Sequence, residues 1–316
     1  MRLGVVGVGH LGKHHARILG ALPGVELVAV VDVNRSRAEG VAAEFGGKPF
    51  TDWRDIAGQV DAVSVATPTV AHLEIAEAFL DRRVHVLVEK PMTATTAEAD
   101  RLLRMARDRG VCLAVGHTER FNPAVERIKP LLRAPRFIEV HRLGTFPERS
   151  LDIDVVFDLM IHDLDLVLDI VQSDVVAIEA VGVPVLTPRV DLANARLRFA
   201  NGCIANLTAS RISRDRVRKI RFFQRDAYVS IDYGAQEAEV WRLVPGEGGK
   251  PGIEGGKLEI ERDEPLKREL LDFVAAIRDG RPPLVTGEQG RAALELAERV
   301  VERMESGGDA AAPAAG

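Results

Sequence analysis

The stretch that most limits what this chain can fold into is its first 32 residues. A short apolar run, Leu3-Gly-Val-Val, leads into Gly7-Val-Gly9-His-Leu-Gly12. Lys13–Leu19 follows with helical periodicity, and a second apolar run, Val25–Val31, stops at Asp32. A GxGxxG triplet alone is a common turn. Between a strand and a helix, with an acidic residue about 20 positions on, it specifies a βαβ unit that takes a dinucleotide. Gly7 permits the tight turn, Gly9 lets backbone approach a pyrophosphate at the helix amino end, and Gly12 lets helix and strand touch. His10 and Leu11 of the same loop join them as candidate cofactor contacts. Asp32 is placed to accept the adenosine ribose hydroxyls, and its charge opposes a ribose phosphate. NAD is therefore expected over NADP, although Arg35 and Arg37 leave the phosphorylated form open. The plainer alternative is a βα turn with no ligand.

The alternation continues through a helix over Arg35–Glu44, a short strand near Pro49–Phe50 and a strand at Ala62–Ala66 that ends in Thr67-Pro68-Thr-Val-Ala-His72. A helix through Phe79, a strand at Val84–Val88 running into Glu89-Lys90-Pro91, a helix over Thr95–Arg109 and a strand at Val111–Val115 complete it. Strands alternating with helices predict an α/β, doubly wound parallel sheet, the Rossmann arrangement, over residues 1–118. Such sheets bind ligands beyond the carboxyl ends of their strands. That rule places Thr67, Pro68, His72, Glu89 and Lys90 toward the cofactor. For Lys90 a solvated turn position is an equal alternative.

After Gly116-His-Thr-Glu-Arg-Phe-Asn-Pro123 the pattern changes to a helix through about Leu132, a strand at Phe137–Arg142 and a helix over 154–171. Alternating runs follow at Val175–Leu186, Val190–Ala200, Cys203–Arg211, Val217–Gln224, Ala227–Tyr233 and Ala238–Leu243, with Asn201-Gly202 as a two-residue hairpin signal. These predict a second, α+β domain over 119–305 with an open, mainly antiparallel sheet. Helices including 154–171 should cover one face. The other is expected to be exposed and apolar, a candidate for self-association into a homodimer or homotetramer. Pro245–Gly256 reads as a flexible loop and 306–316 as a disordered tail, while Leu270–Asp279 and Arg291–Met304 read as amphipathic helices.

The chemistry-bearing stretch of the second half is Asp154-Val-Val-Phe-Asp-Leu-Met-Ile-His-Asp-Leu-Asp165. Four-residue spacing stacks Asp158 and His162 on one helix face, while Leu164, Val167, Leu168 and Val171 give the helix an apolar stripe. An imidazole titrates near neutrality, as a general base needs to. The bland alternative is a charge at a helix amino end and a hydrogen-bonded core histidine. A net charge of −5 over 316 residues excludes a basic footprint for nucleic acid. Arg211, Arg214, Arg216, Arg218, Lys219, Arg221 and Arg225 form a basic run that reads as mostly solvated, with a phosphate contact as the alternative. Met1-Arg2 leaves no room for a secretory leader and no run is long enough to span a bilayer, so the expectation is a cytoplasmic protein without membrane attachment. Cys112 and Cys203 read as buried free thiols. His14-His15 is no metal pair, since adjacent helical residues do not share a face, and no metal is expected.

Together, the Gly7/Gly9/Gly12 fingerprint, Thr67-Pro68…His72, Glu89-Lys90-Pro91, Arg120-Phe121, Asp158…His162 and the closing Phe273…Gly280-Arg-Pro-Pro and Thr286-Gly-Glu segments resemble the glucose-fructose oxidoreductase, inositol dehydrogenase and MocA family. The resemblance implies nicotinamide-dependent oxidation of a sugar or cyclitol, with Lys90, Asp158 and His162 as the catalytic set. Arg120 and Asn122 are further candidate substrate contacts. Whether Lys90 or His162 finally takes the proton stays open. Many members begin the catalytic helix with a glycine-rich turn, where this chain has Asp152-Ile-Asp-Val-Val-Phe. Within the family, Gly116–Pro123, Phe137-Ile-Glu-Val-His-Arg-Leu-Gly and Asn206-Leu-Thr-Ala-Ser-Arg look similar to a branch that oxidises the 3-hydroxyl of UDP-N-acetylglucosamine on the way to a lipid A diamino sugar. That branch implies a nucleotide-sugar substrate and a downstream aminotransferase. Arg120 or Arg211 would meet the pyrophosphate. A dehydrogenase of free sugars or inositols and a silent NAD-binding sensor are the alternatives; a sensor needs none of Lys90, Asp158 and His162.

Overall fold

The apolar runs of the first 118 residues become six short strands, β1 (Arg2–Val6), β2 (Glu26–Val31), β3 (Lys48–Phe50), β4 (Ala62–Val65), β5 (His85–Glu89) and β6 (Leu113–Gly116). Their residues are buried almost without alternation, because helices cover both faces of an all-parallel sheet. The connecting helices are α1 (His10–Ala21), α2 (Arg35–Phe45), α3 (His72–Asp81) and α4 (Thr96–Arg109). All pairs are parallel in the order β3-β2-β1-β4-β5-β6. The order therefore reverses between β1 and β4, the switch point beyond whose carboxyl ends sheets of this kind bind ligands. Helix α4 shows how local signals fix the boundaries. Thr95 Oγ1 accepts from the Glu98 amide at its start, and Gly110, at φ 66°, ends it in the left-handed region.

This computed structural model describes residues 1–146, 153–246 and 251–308. Two units emerge, Met1–Thr118 with Glu264–Leu294, and Glu119–Asp263 with Glu295–Gly316. The continuous second domain expected over 119–305 is thus interrupted. Helix α7 (Pro265–Asp279) returns to the first unit, where Leu270, Phe273 and Val274 join Leu3, Leu19 and Leu87 in one apolar cluster. Burial of each of these side chains is worth about 1.5–3 kcal/mol. Ion pairs of Arg17 with Glu264 and of Arg291 with Asp100, the latter at 2.8 Å, hold the same segment. Amphipathic periodicity reveals that a helix has a face to bury. It does not reveal which core receives it.

In the second unit eight strands form one sheet: β7 (Phe137–Leu143), β8 (Val175–Val183), β9 (Leu192–Phe199), β10 (Ile204–Ser210), β11 (Val217–Phe223), β12 (Ala227–Asp232), β13 (Glu237–Pro245) and β14 (Pro251–Lys257). Their order is β14-β13-β12-β11-β7-β10-β9-β8. Asn201-Gly202, with Gly202 at φ 85°, turns β9 antiparallel into β10. Only β10 and β7 run parallel among the described pairs, so the sheet is mixed. Strict alternation in β7 buries Ile138, Val140 and Arg142 on the inner face. There α5 (Pro123–Ile128) packs on β12 and β13, and the turn preceding α6 (Ile161–Val171) packs on β10.

The outer face differs from the apolar surface expected. Phe137, Phe223 and Tyr228 stack in series at centroid distances of 5.8 and 5.3 Å, but Arg221–Glu139 and Lys219–Asp232 ion pairs interrupt them. The expected loop Pro245–Gly256 is mostly strand, since Pro245 ends β13 and Pro251 opens β14; residues 247–250 lie outside the described residues. Helix α8 (Gly287–Gly308) continues through Ser306, and the remainder of the expected tail, 309–316, lies outside the described residues. Among the described residues no helix is long and apolar enough to cross a membrane.

Candidate active site

The turn between β1 and α1 has the shape its glycines demand. Gly7 sits at φ 84°, and a Cβ there would lie 2.8 Å from the Ala66 carbonyl oxygen. At Gly12 a Cβ would lie 1.8 Å from the Gly7 oxygen, so the protein's own packing requires both residues. Gly9 is different. A Cβ on it would meet nothing within 4 Å, and the space above it is where a pyrophosphate could approach the start of α1. No side chain caps that helix end and no acidic residue lies in its first turn. His10 and Leu11 are exposed beside it. Beyond β4, exposed Pro68 leads into a short helical turn at Thr69–Ala71, and Thr67 Oγ1 is buried with no hydrogen-bond partner in the protein. An open glycine, an uncapped helix start and an orphaned hydroxyl at the switch point fit a bound dinucleotide.

Asp32 closes β2 as expected. Its Oδ2 accepts from the Val8 amide at 3.1 Å and its Oδ1 from the Asn34 amide at 2.9 Å. Arg37 Nη1 donates to both oxygens at 3.2 and 3.3 Å. Thus one of the two arginines expected near a ribose phosphate is engaged with the aspartate expected to exclude it.

Lys90 follows the last residue of β5 and is half-buried. Its backbone N–H donates to Glu89 Oε2 at 3.2 Å, and its peptide bond to Pro91 is cis. Glu89 is buried, with Oε1 accepting from His15 Nε2 at 3.0 Å, while His15 Nδ1 lies 2.7 Å from Ser64 Oγ. A Cβ at residue 116 would lie 2.9–3.0 Å from the Glu89 carboxyl atoms, so Gly116 makes room for that carboxylate. Burial alone would raise the Glu89 pKa. The His15 hydrogen bond and the charges of His15 and Lys90 outweigh it and leave the carboxyl below its usual range. Glu269 on α7 shows the opposite outcome, because burial and the neighbouring Glu89 push it well above that range. His72 is buried between two carbonyl oxygens, Pro91 O at 3.0 Å from Nδ1 and Thr67 O at 2.9 Å from Nε2. Burial lowers its pKa, so the neutral ring donates to one carbonyl at a time. Glu89 and His72, expected as cofactor contacts, have these partners within the protein.

Asp158 and His162 belong to the second unit, and the regular helix expected over 154–171 is not regular. Val156–Met160 forms a π-helical turn, closed by the Ile161 amide donating to the Val156 carbonyl, and α6 begins only at Ile161. Asp158 lies in the wide turn and His162 in the first turn of α6, so the α-helical stacking inferred from four-residue spacing does not hold between them. Both are half-buried.

Three aspartates on α6 find basic partners. Asp163 receives Arg142 Nε at 2.6 Å and Nη2 at 2.9 Å, and Arg142 Nη1 reaches Glu119 at 3.0 Å. Arg120 reaches Asp165 at 3.4 Å and Asp169 at 2.8 Å, and Lys129 lies 2.6 Å from Asp169. Burial raises the Asp163 carboxyl and pushes Asp165 up to about 7, against the pull of their arginines.

Three expected substrate contacts have partners within the protein. Arg120 is buried among α6 carboxylates. Asn122 caps α5 through Oδ1, which accepts from the Ala124 amide at 3.1 Å, and its Nδ2 donates to the Tyr233 carbonyl at 3.2 Å. Arg211 is buried, donating to Asp191 Oδ1 at 2.8 Å and the Ile153 carbonyl at 2.7 Å. Sequence reasoning missed His15, Ser64, Glu269 and Arg142. The available cue for Arg142 was the density of aspartates, 163, 165 and 169, inside an apolar helix. The thiols are free, and burial pushes Cys112 up to about 12 and Cys203 to about 11.

Comparison with known proteins places this chain. Residues 1–117 match the GFO/IDH/MocA oxidoreductase family, NAD-binding Rossmann fold, and residues 138–230 match the GFO/IDH/MocA C-terminal domain. The chain is 41% identical over 302 residues, 95% of its length and 96% of the relative's, to UDP-N-acetylglucosamine 3-dehydrogenase of Acidithiobacillus ferrooxidans. A solved structure of that enzyme aligns with a TM-score of 0.91 at 40% identity, covering 97% of this chain and 98% of the other. Myo-inositol 2-dehydrogenase of Thermotoga maritima is 27% identical over 94% of each chain. This chain belongs to the GFO/IDH/MocA oxidoreductase family.

Proposed function

We propose that the protein is a cytoplasmic, NAD-dependent dehydrogenase that oxidises the 3-hydroxyl of UDP-N-acetylglucosamine to a ketone. The observation that carries this reading is the 41% identity along 95% of the chain with an enzyme of that name. The presence of Lys90, Asp158 and His162 supports catalysis over a silent sensor. Bound nicotinamide supplies the acceptor for the hydrogen and electron pair leaving the carbinol carbon. His162 takes the hydroxyl proton, Lys90 donates a hydrogen bond to the developing alkoxide, and Asp158 orients the sugar and stabilises the charged imidazole. Asp32 favours NAD, because its charge opposes a ribose phosphate. A nucleotide tail offers binding energy remote from the reacting carbon, so free N-acetylglucosamine is a poor substrate.

Oxidation of a secondary alcohol by NAD runs uphill near neutral pH, and an aminotransferase that consumes the ketone draws it forward. The aromatic and charged outer face of the second sheet serves self-association as a homodimer or homotetramer, which light scattering on dilute protein tests. A concentration-independent monomer would remove that part. For the activity, the assay combines UDP-N-acetylglucosamine, NAD, glutamate and a sugar-nucleotide aminotransferase, with mass spectrometry for the amino sugar nucleotide. Turnover of inositols and free sugars, with none of UDP-N-acetylglucosamine, would replace this reading by a free-sugar dehydrogenase.

A further inference from the structure

Two histidines lie inside the first unit within reach of the Glu89-Lys90-Pro91 segment, His15 with no exposed surface and His72 with 1%. We propose that His15 and His72 are positioning residues that hold Lys90 from either side, His15 through Glu89 and His72 through Pro91. This rests on the reading of Lys90 as the group that meets the reacting hydroxyl.

The argument begins with cost. An imidazole in a core is less favourable than leucine unless its nitrogens are bonded, and both rings have bonding atoms within 3.0 Å of each nitrogen. What those bonds join is specific. His15, from α1, links Ser64 in β4 to Glu89 at the end of β5, and His72, from α3, lies between the carbonyls of Thr67 just beyond β4 and Pro91 just beyond β5 and donates to one of them at a time. His15 therefore ties β4 to the residue before Lys90, and His72, when its N–H is on Nδ1, ties α3 to the carbonyl of the residue after it. The parallel ladder between these strands ends at Val65 and Val88. At that end, hydrogen bonds from His15 and His72 hold the residues on either side of Lys90.

A lysine side chain is long and flexible, so its ammonium can be held in place only if the backbone beneath it is fixed. Misplacement of a reacting group by about 1 Å can cost about 100-fold in rate. The charged surroundings are consistent with this role. Glu89 faces His15, Lys90 and Glu269, and Glu269 also faces Thr118 and Asp272. Glu269, held in its acid form, leaves Glu89 to carry the negative charge beside Lys90.

The test compares His15→Leu, His72→Leu, His15→Gln, His72→Gln and Lys90→Met, assayed with UDP-N-acetylglucosamine and NAD. The leucine variants should lose about 10- to 100-fold in kcat with KM for NAD unchanged, and glutamine, which restores a donor, should recover part of the loss. Leucine variants within about two-fold of wild-type kcat would overturn the proposal, as would equal losses in the glutamine variants with a matching rise in KM. If leucine prevents folding, His15→Asn and His72→Asn decide by the same criteria.

Lys90→Met separates the two readings. Near-normal turnover there removes the role assigned to Lys90, whereas an inactive Lys90→Met beside fully active histidine variants removes only the positioning role. A readout that needs no substrate is the pH profile of Lys90 acetylation by acetic anhydride, followed by peptide mass spectrometry. Loss of His15 should let Glu89 take up a proton and lower the labelling midpoint by about half a pH unit or more. An unchanged midpoint in His15→Leu would overturn the His15 half of the proposal.

Discussion

Lys90 and His162 are supported by opposite means. Around Lys90 the anchors are hydrogen bonds from His15 and His72, rings packed inside a parallel sheet unit. Around α6 they are charge pairs, Arg142 with Asp163, and Arg120 and Lys129 with Asp165 and Asp169. The difference teaches where damage should appear. Losing one partner of a buried ion pair leaves an uncompensated charge and costs about 3–5 kcal/mol, whereas a lost hydrogen bond, including one from an imidazole to a carboxylate such as Glu89, costs about 1–3 kcal/mol. Mutations behind α6 should therefore be seen first as lost stability, and mutations behind Lys90 as lost turnover.

The largest expected effect is that of Arg142→Met, which strips Asp163 and Glu119 of their shared guanidinium and removes a cation 5.3 Å from the Tyr233 ring centroid. Denaturant unfolding should show about 3–5 kcal/mol less stability. A change below about 1 kcal/mol would mean that Asp163 simply takes up a proton, and the contrast between the two supports would collapse. Replacing His162 by Ala should instead leave the unfolding midpoint near that of wild type and reduce turnover about 100-fold, the usual contribution of a general base. Near-normal turnover with an unchanged pH profile would take the proton from His162 and leave Lys90 as the candidate.

Legibility in the sequence follows the same division. Gly7 and Gly12 are required by backbone geometry that no other residue satisfies, so the fingerprint could be read directly, as could Asp32 at the end of β2. The Asn201-Gly202 hairpin was legible for a similar reason, a positive φ at Gly202. Charged residues were not, because their partners are distant in sequence. Arg120 and Arg211 looked like donors for a phosphate and are buried against Asp165, Asp169 and Asp191. The π-helical turn at Val156–Met160 escaped because hydrophobic periodicity assumes a regular helix, and one inserted register shift leaves no compositional mark. Likewise, nothing in the stripe of α7 says that its Phe273 belongs with Leu3.

Asp165 sharpens the comparison through pH. Burial pushes its pKa up to about 7, with Arg120 opposing, whereas an unfolded aspartate titrates near 3.9. Between those values the folded protein holds a proton that the unfolded chain has released. Stability from this group is thus present at low pH and declines as pH rises toward 7, by at most about 1.4 kcal/mol per pH unit, then levels off. Asp165→Asn has no proton to lose. Its stability relative to wild type should improve by about 2.5 kcal/mol between pH 5 and 7.5, measured by denaturant titration at both values. A gap independent of pH would show Asp165 ionised throughout, making α6 a fully charged support.

The smallest effect concerns the exposed counterpart of these pairs, Asp32 with Arg37 in the first unit. The chemistry matches that of Arg142 with Asp163, but the Arg37 side chain keeps 50% of its surface in water. Solvent screening makes such a pair worth little, so Arg37→Ala should change stability by less than about 0.5 kcal/mol. Its consequence should lie in cofactor choice. On the proposed reading Asp32 opposes a ribose phosphate and Arg37 is the cation that would meet one, so removing Arg37 should leave NAD binding nearly unchanged while weakening NADP further. Asp32→Ala should do the reverse, weakening NAD about 10-fold, as expected for lost hydrogen bonds to a carboxylate, and narrowing the difference between the cofactors. Calorimetric titration of both cofactors into wild type and the two variants measures this directly. Equal or tighter binding of NADP by the wild-type protein would remove Asp32 as the discriminating group, and tighter NADP binding by Arg37→Ala would show that Arg37 does not meet the phosphate.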